Sequence, residues 1–278
     1  MVRRKRRRDH RNTHARNQIL RELLLPAGIT TLVLLGAVIL SASGFVNRGL
    51  ELLERREAIQ DLDYAKIAKD FETKLLARNV QDYGLWTASY EFVQGNNPTY
   101  ITEDIGKGLD NLELNILAVV GASKGNNLGP FLFTQVRLPG QATISALTGP
   151  LEQELRQTLN QWQQRHGRLL DQPMQGLISF GNRPLVMATH PITPTYERLA
   201  ANGFILMGKI ISKNQLQRWS ETRHSTYSIE SISDLAQSSA LRSRVKSLLA
   251  APSNMEMQAR DSNTLVADEL LKDILNRP

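Results

Sequence analysis

No cysteine occurs among the 278 residues, which excludes thiol catalysis, thiolate metal sites and disulfides. A cysteine-free domain tolerates an oxidising compartment without being restricted to one. Metal-ligand spacing is scarce as well. Of the five histidines, His10 and His14 sit in a basic N-terminal segment, and His166, His190 and His224 are isolated from one another. There is no Gly-x-Ser-x-Gly set at a strand-to-helix turn and no glycine-rich phosphate loop; residues 121–127 read as a polar hairpin turn. The chain is therefore read as non-enzymatic, with no metal and no cofactor.

Net charge is lacking over most of the length. Residues 1–23 hold nine of the 34 Lys and Arg and two of the 27 Asp and Glu, so this segment accounts for the whole formal charge of +7. The remainder is neutral and has no net field to attract phosphate, which argues against a nucleic-acid-binding globule. Directly after the basic segment, residues 23–46 contain no charged side chain. As a helix rising about 1.5 Å per residue, such a run can cross a hydrocarbon core of about 30 Å. The basic excess before it places the N-terminus in the cytoplasm and the rest of the chain outside. A cleaved signal peptide, with Ser41-Ala42-Ser43 as its small-residue site, is the alternative; the run exceeds the about 7–15 residues usual there. Pro26 falls near the start of the span, where a first helical turn tolerates it. Beside a membrane helix, the arginines serve topology and anionic-lipid contact rather than nucleic acid.

Beyond the span, residues 47–79 read as one stalk helix with an apolar stripe at Ile59, Leu62, Ala65, Ala68, Phe71 and Leu75. That stripe must bury itself on the domain or on the same helix of a second subunit; domain packing is favoured, with a homodimer contact near the membrane. Strands are expected over 113–120, 128–136, 176–180, 185–192 and 203–211, with a helix opening at Pro150. Gly181-Asn182-Arg183-Pro184 is a hairpin-type turn, Ser212 caps a helix to about Glu221, and residues 234–249 read as a further helix. Residues 254–259 and 265–274 are strand or helix. A helix followed by an antiparallel meander indicates an α+β sandwich with helices on one face of the sheet.

One segment carries a resemblance. Asp82-Tyr83-Gly84-Leu85-Trp86-Thr87-Ala88-Ser89-Tyr90-Glu91-Phe92-Val93 is followed by Asn97, Tyr100 and Ile101, then by Asn111-Leu112-Glu113-Leu114-Asn115-Ile116. This resembles the opening of the CHASE family's fourth class, extracellular sensing domains of cyclases and histidine kinases. Gly176-Leu177-Ile178 with Pro184-Leu185-Val186 and Pro191-Ile192 is similar to the family's middle hairpin, and Gly203-Phe204-Ile205-Leu206-Met207-Gly208-Lys209 to its next strand. The resemblance covers about residues 80–278. Thr87 and Ala88 stand where acids are usual, and Asp273-Ile274-Leu275-Asn276-Arg277-Pro278 is similar to the approach to a last strand that leads to a second membrane helix.

The resemblance implies a PAS-like or Cache-like α+β fold on a long stalk helix behind one transmembrane helix. The expected division is 1–22 cytoplasmic tail, 23–46 membrane helix, 47–79 stalk and 80–278 periplasmic sensor domain lacking its last strand and second transmembrane helix. It further implies a single-pass inner-membrane receptor for a small molecule. The partner would be a cytoplasmic diguanylate cyclase, phosphodiesterase or histidine kinase, because 22 residues cannot hold an output module. A membrane-anchored periplasmic binding or scaffold protein is the alternative. Tyr83, Trp86 and Tyr90 lie at steps of three and four, so they share one face of a short helix, either as core or as the wall of a ligand pocket. Asn115 is either a satisfied strand-edge amide or a ligand contact, and His190 is either structural or a pH-responsive ligand contact.

Overall fold

The computed structural model describes residues 5–122, 125, 127–195, 199–223, 225–232, 239–251, 254–261 and 264–277. His224, residues 234–238 of the expected later helix and residues 123, 124 and 126 of the 121–127 turn lie outside them. The chain divides into two compact units, Met1–Glu57 and Ala58–Pro278. Helix α1 runs over Lys5–Gly84.

In the first unit, Ile29, Leu32, Val33, Leu34, Leu35, Val38, Ile39 and Leu40 are all exposed. A helix apolar on every face suits lipid rather than water. This helix is long and apolar enough to cross a membrane. Its hydroxyls are satisfied locally: Thr31 Oγ1 donates to Ala27 O at 2.8 Å and Ser43 Oγ to Ile39 O at 2.8 Å. Pro26 lies inside the helix, not in its first turn as expected, because the basic segment is itself helical from Lys5.

The second unit is α+β. After α1 come α2 (Thr87–Val93), a π-helical turn (Ile101–Ile105), α3 (Gly108–Asn111), β1 (Ile116–Gly121), β2 (Phe131–Val136) and α4 (Gly149–His166). Then follow β3 (Met174–Phe180), β4 (Arg183–Pro191), β5 (Gly203–Ile210), α5 (Lys213–Arg223), α6 (Ser239–Ala250) and a hairpin of β6 (Met255–Asp261) with β7 (Thr264–Glu269). β1 to β5 form an antiparallel sheet ordered β2-β1-β5-β4-β3. The β3–β4 turn is the pair Gly181-Asn182, with φ of 54° and 59°, the double left-handed conformation that matches strand twist.

Helices cover both faces of the sheet, which corrects the one-face expectation. Alternate residues divide the core: Ile116, Ala118 and Val120 of β1 pack with Leu155, Leu159 and Trp162 of α4. Leu117 and Val119 pack on the other face with Leu76 and Val80 of α1 and with Trp219 of α5. Two buried faces explain why the central strands read as unbroken apolar runs rather than alternating ones.

The buried face of α1 also differs from the expected stripe. It follows Thr73, Leu76 and Val80, while Phe71 is 66% exposed. Each three-residue step falls about 60° short of a full turn, so two of them carry Phe71 off the core face. Polar ties add to the packing of Leu76 and Val80. Lys209 of β5 meets Glu72 at 3.7 Å and Glu113 at 3.5 Å, Lys66 meets Glu269 at 3.2 Å, and Arg223 meets Asp61 at 3.0 Å.

The segment after β7 folds back on β3. Ile274 N donates to Leu177 O at 2.9 Å, and Leu275 is buried in the α4-side core. Asp273 holds the turn by accepting from Leu275 N and Arg277 N, each at 2.8 Å. Gly176 makes room for this, since a Cβ there would stand 2.3 Å from Ile274 Cγ2.

Candidate ligand-binding site

Helix α1 ends where β4 meets it. A Cβ on Gly84 would lie 2.8 Å from His190 Nδ1 and 2.9 Å from Pro191 O, so only glycine allows the approach. The last carbonyls of the helix are capped by the loop after β4: Thr193 N donates to Gly84 O at 3.0 Å, and Thr195 Oγ1 to Leu85 O at 2.7 Å. Trp86 is extended (φ −78°, ψ 133°) and starts α2.

This break corrects the expectation of one aromatic helix face, since Tyr83 closes α1 while Tyr90 belongs to α2. The rings of Tyr83 and Trp86 still meet, with centroids 4.4 Å apart. Trp86 is 38% exposed, so the core aromatic of this region is Tyr100, which is fully buried. Ser89 Oγ donates to Tyr83 O at 2.6 Å and accepts from the Tyr100 hydroxyl at 2.7 Å. Burial first, with the nearby Asp104 charge adding to it, pushes the Tyr100 phenol up to about 12; Tyr83 is shifted upward by the same two causes. Tyr90 is half-buried, and its carbonyl accepts from Asn202 Nδ2 at 3.0 Å.

Asn115 is wholly engaged in the sheet. Its Nδ2 donates to Arg137 O and its Oδ1 accepts from Ile210 N, both at 2.8 Å. The preceding Glu113 has a left-handed φ of 50°, which turns the chain from α3 into β1. The Asn-Leu-Glu-Leu-Asn segment is thus a corner whose last amide ties two strands to β1.

His190 stands apart from the aromatic group. It lines an open groove of about 410 Å³ between α1 and the β3–β4 edge, together with Lys74, Arg78, Gln81, Gln175 and Thr189. Its Nδ1 lies 2.8 Å from Pro191 O, a pure acceptor, so Nδ1 carries the proton and Nε2 is left for other partners. Among the described residues, the other notable hollow, beside Lys209, holds about 30 Å³, room for one water. Of the five expected site residues, His190 lines this groove.

Lys74 and Arg78 also line the groove, and sequence reasoning did not single them out. Asp70 and Asp82 stand four residues away on either side, so spacing alone pairs them off. In the structure Asp70 is taken by Lys69 at 2.9 Å, and among the described residues no carboxylate lines the groove.

Comparison with curated proteins gives no match. The sequence model of the CHASE4 domain matches residues 70–230, more than half of the chain, from the groove-lining turns of α1 to beyond α5. All five strands of the main sheet lie inside that range. The chain therefore belongs to the CHASE4 domain family, whose members are extracellular sensory domains of signalling receptors.

Proposed function

We propose that this chain is a membrane-anchored receptor component, with its N-terminus in the cytoplasm and residues 58–278 as the extracytoplasmic sensor. The observation that carries this reading is the CHASE4 match, from residue 70 onward, in a chain whose helix α1 first passes through the uncharged run 23–46 behind nine basic residues. The positive-inside rule supplies the direction. The fold is read as PAS-like or Cache-like: an antiparallel sheet carried on a long N-terminal helix. A small molecule enters the groove lined by His190 and is the sensed signal. Output passes to a cytoplasmic cyclase, phosphodiesterase or histidine kinase.

The receptor acts as a homodimer through α1. Ile67, Phe71 and Leu75 recur every four residues, all exposed, and form an apolar stripe suited to a second copy of the helix. Protease added to intact spheroplasts tests the topology. The sensor should be digested while a short N-terminal fragment stays protected. A mature protein beginning near Gly44 would overturn the anchor.

A further inference from the structure

We propose that the groove beside His190 is an oxyanion site, built for a small dissolved carboxylate or phosphate; this rests on, and deepens, the sensory reading. Unspent charge lies on the helical wall of the groove. In the turns of α1 just before the groove, Lys66 meets Asp63 at 2.8 Å and Lys69 meets Asp70 at 2.9 Å. Lys74 and Arg78 have no ion-pair partner among the described residues, and both line the groove. Four residues apart on one helix, they present an ammonium and a guanidinium on the same face.

The remaining walls are rich in donors. Gln81 and Gln175 bring side-chain amides. Thr189 Oγ1 already accepts from Met174 N at 3.1 Å, which leaves its hydroxyl hydrogen free to donate. A hollow with two cations, two amides, a hydroxyl and, among the described residues, no lining carboxylate selects against cations and suits an oxyanion, which a guanidinium can grip with two parallel bonds. Its volume of about 410 Å³ is ample for a metabolite bearing one or more such groups.

Calorimetric titration of the full chain in an uncharged maltoside detergent tests this, with citrate in one arm and inorganic phosphate in the other. Lys74→Gln/Arg78→Gln alters two exposed side chains, so its fold, checked by circular dichroism, should be intact. Saturable binding of either anion, weakened at least tenfold in the double variant and by added salt, is the expected result. Citrate alone assigns carboxylates, and phosphate alone assigns phosphate esters. Absence of saturable binding to the wild type in both arms, or an affinity unchanged in the variant, overturns the site. A rise in melting temperature with uncharged metabolites only, equal in both proteins, also overturns it while leaving the sensory reading standing.

Discussion

Tyr100 and Trp86 show how exposure decides the weight of an aromatic residue. Tyr100 is enclosed, and its hydroxyl is bonded to Ser89 at 2.7 Å. Tyr100→Phe should cost about 1 kcal/mol in urea unfolding, the net worth of one such bond. Trp86→Ala should cost about 1–2 kcal/mol, well below the roughly 3–5 of a buried tryptophan, because 38% of Trp86 is already in water. A loss at the buried value would show Trp86 enclosed by contacts absent from the isolated chain. The phenol also sets an alkaline limit. Its folded-state value is raised to about 12 by burial, whereas the unfolded phenol ionises near 10. Stability from this group is complete below about pH 10 and falls by on the order of 2 kcal/mol as pH rises towards 12. Absorbance titration at high pH should find one tyrosine that ionises only as the domain unfolds, and Tyr100→Phe should flatten the decline in stability.

Among the elements, the corner at Asn115 carries more than its sequence context suggested. One amide side chain serves the backbone of Arg137 after β2 and of Ile210 in β5. Asn115→Ala leaves the Ile210 N–H and the Arg137 carbonyl, both in part-buried bonds, without these partners, at about 1–3 kcal/mol each. A drop of about 2–5 kcal/mol in denaturant unfolding, with anion affinity unchanged where the variant remains folded, is the expected outcome. The β3–β4 turn and the starts of α4 and α5 were legible because turn and cap chemistry is local: Gly181-Asn182 between β3 and β4, Pro150 at the start of α4, Ser212 before α5. The break at Trp86 was not legible. Steps of three and four are the signature of a continuing helix, and only the approach of His190 and Pro191 to Gly84 ends it.

At the level of the whole molecule, α1 has to serve two faces. The face bearing Leu76 and Val80 is spent on the sheet, while Ile67 and Phe71 are each 66% exposed. Phe71→Glu should leave the melting temperature of the domain nearly unchanged, since the side chain is already in solvent. It should shift the full chain in detergent from dimer to monomer by light scattering. A dimer that survives this substitution would place self-association elsewhere.

The amino-acid sequence by itself determined the long apolar run, the charge asymmetry around it, the neutral body and most strand positions. These depend on composition and on neighbours a few residues apart, which folding does not change. Its motifs, in order, were enough to indicate the family. Which residues come together was decided by the tertiary structure alone. The second covered face of the sheet follows from where α4 packs, and the end of α1 from the position of β4. Lys74 and Arg78 look like ordinary solvated helix charges until the fold sets the polar β3–β4 edge opposite them and binds Asp70 to Lys69. The groove exists because residues about a hundred positions apart meet across it, and no local pattern of charge or hydropathy encodes such a meeting.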